Sequence, residues 1–104
     1  MMREVTAEEF RREAGSGLVM GEFFSSTCGP CKMLSFVLKD VLKEVGEDFT
    51  VLQVDFDKNP ELSEEYGVTG YPTMILLSDC VEIDRLQGLQ QKPLIVKMIQ
   101  KHQA

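Results

Sequence analysis

The chain has 104 residues, of which 43% are hydrophobic and 27% charged, and a formal net charge of −6. Those values place it among ordinary globular proteins and suit one domain, residues 1–104, with a single real core. Eleven basic against seventeen acidic residues argue against a nucleic-acid partner, which needs a basic patch, and against an anionic membrane surface.

The N-terminus carries no basic-then-apolar leader, and no apolar run approaches roughly 18 residues, so the cytoplasm is the expected compartment. Thr6-Ala7-Glu8-Glu9 reads as a capping box that opens a short helix to Glu13. A short strand is placed before it at Arg3 to Val5. Gly15-Ser16-Gly17 ends the helix. Leu18 to Ser25 is an apolar run with Phe23 and Phe24, fit for a buried strand. Met33, Leu34, Val37, Leu38, Val41, Leu42 and Val45 recur at helical spacing, which predicts a helix from about Cys28 to Val45, stopped by Gly46.

Thr50 to Asp55 is a second buried strand. Asn59-Pro60 opens a helix through Tyr66, with Gly67 after it. Thr73 to Ser78 is a third strand, and Val81 to Gln87 a more exposed fourth, joined by the short Asp79-Cys80 link. Pro93 opens the last helix, with Leu94, Ile95, Met98 and Ile99 on one face. Strand–helix–strand crossovers imply parallel pairing, and the short link implies an antiparallel pair. The expected fold class is α/β: a mixed sheet of four to five strands with helices on both faces.

Cys28-Gly29-Pro30-Cys31 carries the chemistry. Residues three apart share a helix face, and one turn brings two Cα atoms to the roughly 5.5 Å that a disulfide needs. Pro30 suits the first turn, where an N–H would be orphaned anyway. A thiolate at Cys28 gains from the positive end of the helix, and the thiolate is the attacking form. Cys28 is therefore the expected nucleophile and Cys31, taken to be the more buried thiol, the resolving partner. The competing reading is a structural pair or half a zinc site. Zinc needs four ligands, yet the only others are Cys80 and His102, far off in sequence, so no metal is expected. His102 is read as a solvated residue of the last helix, and Cys80 as an exposed turn thiol that either forms intermolecular disulfides or has no role, the second being favoured.

Further motifs extend the pattern: Cys28-Gly29-Pro30-Cys31-Lys32-Met33, Val54-Asp55-Phe56-Asp57-Lys58-Asn59-Pro60, Tyr66-Gly67-Val68, Gly70-Tyr71-Pro72-Thr73, and Gly88. Together with the element order, these residues resemble the thioredoxin family over nearly the full chain. The resemblance implies the thioredoxin fold and a thiol–disulfide oxidoreductase that reduces protein disulfides without a bound cofactor. It also implies a monomer recycled by a thioredoxin reductase-type enzyme.

Two alternatives stand beside it: a specialised relative serving one partner, and a non-catalytic interaction module. By resemblance the candidate catalytic set is Cys28, Cys31 and Glu22, with Gly29 and Pro30 as the spacer of the redox motif. Pro72 alone would be expected trans, whereas the resemblance implies a cis bond facing the cysteines. A cis bond there would turn the Tyr71 backbone toward a substrate strand. Thr27, Gly70, Tyr71, Pro72 and Gly88 would then line a shallow substrate groove.

Several residues depart from the family pattern. Thr27 and Phe24 stand where tryptophans are common, and the chain has none. Glu22 replaces a buried Asp, and Gln53 a Lys that often accompanies it. Phe36 replaces a proline that kinks the active-site helix, so a straighter helix is expected. Glu22 interrupts an apolar strand. It is either a solvated edge residue or a buried carboxylate with a raised pKa, and its apolar neighbours favour burial. By resemblance, a buried Glu22 would relay a proton to or from Cys31.

Overall fold

Three central strands, buried on both faces along most of their length, organise the chain, described here for residues 1–103 of a computed structural model. The described residues form β1 (Met2–Glu4), α1 (Ala7–Glu13), β2 (Leu18–Phe24), α2 (Gly29–Val45) and β3 (Thr50–Asp55). They continue with α3 (Pro60–Glu65), β4 (Thr73–Ser78), β5 (Val81–Gln87) and α4 (Lys92–His102). Every expected element is present, with shifted ends. The first strand lies one residue earlier, β2 stops at Phe24 rather than Ser25, and Tyr66 is the C-cap of α3 rather than its last turn.

One sheet runs in the order β1-β3-β2-β4-β5. β1, β3 and β2 are parallel, β4 is antiparallel to β2, and β5 is antiparallel to β4. The parallel pairs follow from helical crossovers, and the antiparallel hairpin from the two-residue link. That link places both Asp79 and Cys80 at positive φ, 47° and 71°. A tight hairpin needs that geometry, and it explains why a glycine would be the easier choice at Cys80.

Two cores lie on opposite faces of the sheet. Met20, Val51, Met74 and Leu76 pack against Leu34, Leu38 and Val41 of α2 and Ile95 and Ile99 of α4. On the other face Val19, Phe23, Leu52, Val54 and Ile75 pack against Phe10 of α1 and Leu62 of α3. α1 starts as expected: Thr6 Oγ1 accepts from Glu9 N–H at 3.2 Å, and Glu9 Oε1 accepts from Thr6 N–H at 2.9 Å. α2 runs unbroken past Phe36, and its cap residue Gly46 takes φ 113°. The C-terminal ends of β2 and β3 and the N-terminus of α2 meet at one edge, where the cysteines lie.

Candidate active site

Cys28 is the N-cap of α2, not part of its first turn, with extended backbone and with Pro30 in the turn that follows. Cys28 and Cys31 are joined as a disulfide with Cα atoms 5.2 Å apart. The Cys31 N–H donates to Cys28 Sγ at 3.1 Å. A free N–H at a helix start thus points at the first sulfur. Burial separates the two residues less than expected, because Cys28 is 8% and Cys31 5% exposed. Their positions relative to the helix end distinguish them more clearly. Gly29 and Pro30 are exposed at the rim.

Glu22 is 1% exposed. It pairs in parallel register with Gln53 on β3, so both side chains leave the sheet on the α2 side. Gln53 Nε2 donates to Glu22 Oε1 at 3.0 Å, while Glu22 Oε2 is buried with no protein partner. Burial raises its pKa to about 7, and the Gln53 hydrogen bond offsets this only in part. A cavity of about 290 Å³ reaches from Glu22 and Gln53 to Cys31, Lys32 and Ser35. Its polar lining and size can accommodate water between the carboxyl and the second sulfur.

The Tyr71–Pro72 peptide is cis. Gly88 N–H donates to the Pro72 carbonyl at 2.7 Å, and the Thr73 hydroxyl to the Gly70 carbonyl at 2.8 Å. Gly70, Tyr71, Pro72 and Gly88 line a shallow depression of about 210 Å³. Tyr71 is 44% exposed, and its ring stands edge-on to Phe56 at 5.4 Å. Thr27 is not among the residues lining this depression. It is exposed, and its hydroxyl lies 3.3 Å from that of Ser25.

Sequence reasoning passed over Ser25, which is 3% exposed and donates to Asp57 Oδ2 at 3.0 Å. A hydroxyl at the end of a strand gives no periodic signal, so only the fold reveals its partner. The reading of His102 needs correction. Its Nε2 lies 3.1 Å from Asp84 Oδ2, joining α4 to β5, and that hydrogen bond is the main cause of a lowered Asp84 pKa. Cys80 is free and exposed. Among the described residues no group of three His, Cys, Asp or Glu could hold a metal ion, and no helix is long and apolar enough to cross a membrane.

The family model for thioredoxin matches residues 1–101. Thioredoxin of Chlamydia trachomatis serovar D is 43% identical over 103 residues, covering 99% of this chain and 100% of that one. Thioredoxin of Bacillus subtilis is 31% identical over 99 residues, 95% of each chain. Among solved structures, Fasciola hepatica thioredoxin superposes with a TM-score of 0.83 at 28% identity, covering 98% of this chain and 100% of that one. Thioredoxin NaTrxh of Nicotiana alata gives 0.89 at 25% identity, covering 99% and 93%.

Geometry supplies a cysteine pair able to open and close at a helix end, and descent supplies its use, which sets aside a non-catalytic module. The chain belongs to the thioredoxin family and is a thiol–disulfide oxidoreductase that reduces protein disulfides.

Proposed function

We propose that Cys28 is the attacking sulfur, Cys31 the resolving sulfur, and Glu22 the group that exchanges a proton with Cys31. The observation that carries this reading is the Cys31 N–H directed at Cys28 Sγ. In the reduced protein the same donor, with the positive end of α2, favours a thiolate at Cys28. The Cys28 thiolate attacks one sulfur of a substrate disulfide. A mixed disulfide forms and the other substrate sulfur leaves as a thiolate.

Cys31 then loses its proton and attacks Cys28 Sγ. The Cys28–Cys31 bond forms, the second substrate thiolate leaves, and two electrons have passed to the substrate. A carboxyl with a pKa of about 7 can accept the Cys31 proton at neutral pH through the cavity they share. Gly70, Tyr71, Pro72 and Gly88 form the docking strip, where an extended substrate segment pairs with the exposed backbone beside Tyr71. Thr27, exposed beside Cys28, lies outside this strip. In this reading the protein is a cytoplasmic monomer without a bound cofactor, and a thioredoxin reductase-type enzyme returns it to the dithiol.

Replacing Cys31 by Ser should leave a protein that accumulates mixed disulfides with substrates through Cys28. Adducts that map instead to Cys31 in a Cys28→Ser protein would reverse the assignment.

A second reading, specialisation for one partner, is favoured by the exposed polar Thr27 where the family carries a large aromatic. Met33 and Phe36, 58% and 64% exposed along α2, add an apolar strip beyond the motif. Insulin reduction coupled to thioredoxin reductase separates the two readings: fast turnover supports a general reductase, and slow turnover that Thr27→Trp accelerates supports the specialised one.

A further inference from the structure

The segment Ser25-Ser26-Thr27-Cys28 joins β2 to α2 and presents the nucleophile. No apolar side chain anchors it, since Ser26 and Thr27 are exposed. Cys28 is bonded to the first turn of α2 through its sulfur and carbonyl, and the hydrogen bonds that place the rest of the loop converge on Ser25. The Ser25 carbonyl accepts from Cys28 N–H at 3.2 Å. The Ser25 hydroxyl oxygen lies 3.4 Å from the Thr27 backbone nitrogen, 3.3 Å from Thr27 Oγ1 and 3.0 Å from Asp57 Oδ2.

Proton accounting orients this chain of bonds. Ser25 has one hydroxyl proton, and an ionised carboxylate can only accept. Ser25 therefore donates to Asp57, and both the N–H and the O–H of Thr27 donate to Ser25. The series runs from Thr27, beside the nucleophile, through Ser25 to a carboxylate, and charge-assisted bonds of this kind are stronger than neutral ones. Asp57 is itself held. Asp55, 3% exposed at the end of β3, accepts from the Asp57 and Lys58 N–H groups at 2.9 and 3.2 Å. The loop bearing Cys28 is thus tied to the neighbouring β3–α3 loop through one buried hydroxyl.

We propose that Ser25 is a positioning residue for disulfide reduction: its hydroxyl tie to Asp57 fixes the loop on which Cys28 meets a protein disulfide. This rests on the reading of Cys28 as the attacking sulfur. In-line attack on a disulfide tolerates little misorientation, so loosening the loop slows reaction with a bulky protein disulfide. A small reagent that approaches from any direction is affected less. The tie orients the loop and does not ionise the thiol, so the pH midpoint of Cys28 reactivity stays in place.

The test uses reduced protein in single turnover with insulin, alongside iodoacetamide alkylation mapped by peptide mass. Ser25→Ala should lower the second-order rate constant for insulin about fivefold, with an unchanged pH midpoint for Cys28 alkylation. Asp57→Ala should give a similar loss, and the double variant no further loss, because both remove one bond. Asp57→Asn should recover most of the rate, since its amide oxygen accepts the same hydrogen bond. Insulin rates equal to the parent in Ser25→Ala and Asp57→Ala overturn the proposal, whatever happens to stability. Additive losses in the double variant overturn it as well. Alkylation faster at Cys31 than at Cys28 in the parent sinks the attacking-sulfur reading first, and the proposal with it.

Discussion

Along β2, Val19, Gly21 and Phe23 face α1 and α3, whereas Met20, Glu22 and Phe24 face α2. The first set is sealed. Phe10 lies over Gly21 and packs on Phe23 and Tyr66, with ring centroids 6.2 and 5.7 Å apart. The second set changes character along the strand. Met20 is in the apolar core, but two residues on, Glu22 opens onto a polar cavity shared with Cys31. One strand therefore seals the apolar core on one face and borders the cysteine cavity on the other. The cysteine pair sits where β2 ends and α2 begins, where the apolar core gives way to a helix terminus.

The largest expected effect probes the sealed face. Phe10→Ala removes a fully buried ring and should cost about 3–5 kcal/mol in chemical denaturation. The insulin rate per folded molecule should hold. A fall in that rate would mean that the two faces are coupled through the sheet.

Glu22→Gln tests the open face. Below a pH of about 4.5 the carboxyl is protonated in folded and unfolded chains alike, and it contributes no pH dependence. As pH rises from 4.5 to about 7, the unfolded chain releases the proton that the folded chain still holds, so this group lowers stability. The full cost is on the order of 3 kcal/mol above the folded value. Glu22→Gln should match the parent near pH 4 and exceed its stability by about that amount at pH 8. The resolving step should slow, with a flatter pH profile near neutrality. Urea denaturation at the two pH values and single-turnover kinetics measure both. Equal stability at pH 8 would show that the carboxyl is solvated.

The smallest expected effect sharpens the contrast. A Cβ on Gly21 would lie 2.8 Å from Phe10 Cε2 and 3.2 Å from Ile75 Cγ1. Gly21→Ala should therefore cost about 1–3 kcal/mol by overpacking, with no change in Cys28 alkylation. A neutral substitution would show that Phe10 can move off the strand.

Much of the fold was legible because its signals are local. The capping box at Thr6 and Glu9, the helical spacing from Leu34 to Leu42, and the Asp79-Cys80 link each act within a few residues. The paired cysteines were legible for the same reason, since a single turn spans them. Element ends were less so. Ser25 reads as strand by its apolar neighbours, but its hydroxyl leaves the ladder to reach Asp57, thirty-two positions away. His102 reads as solvated because nothing in the last helix shows that Asp84 on β5 lies beside it. Both misreadings come from polar partners that are distant in sequence and have no periodicity.

By itself the sequence determined the order of elements, the parallel and antiparallel pairing and the dithiol, because propensity, spacing and turn chemistry are short-range. The tertiary structure decided the rest. Parallel register set Glu22 beside Gln53 and left one carboxyl oxygen of a residue that shares a cavity with Cys31 without a partner. Chain crossings brought the cis-proline loop against Gly88 and Ser25 against Asp57. These arrangements depend on which strands become neighbours and how deeply each polar atom is buried. Burial and neighbourhood are properties of the packed sheet, and they set the carboxyl's pKa and the hold on the Cys28 loop.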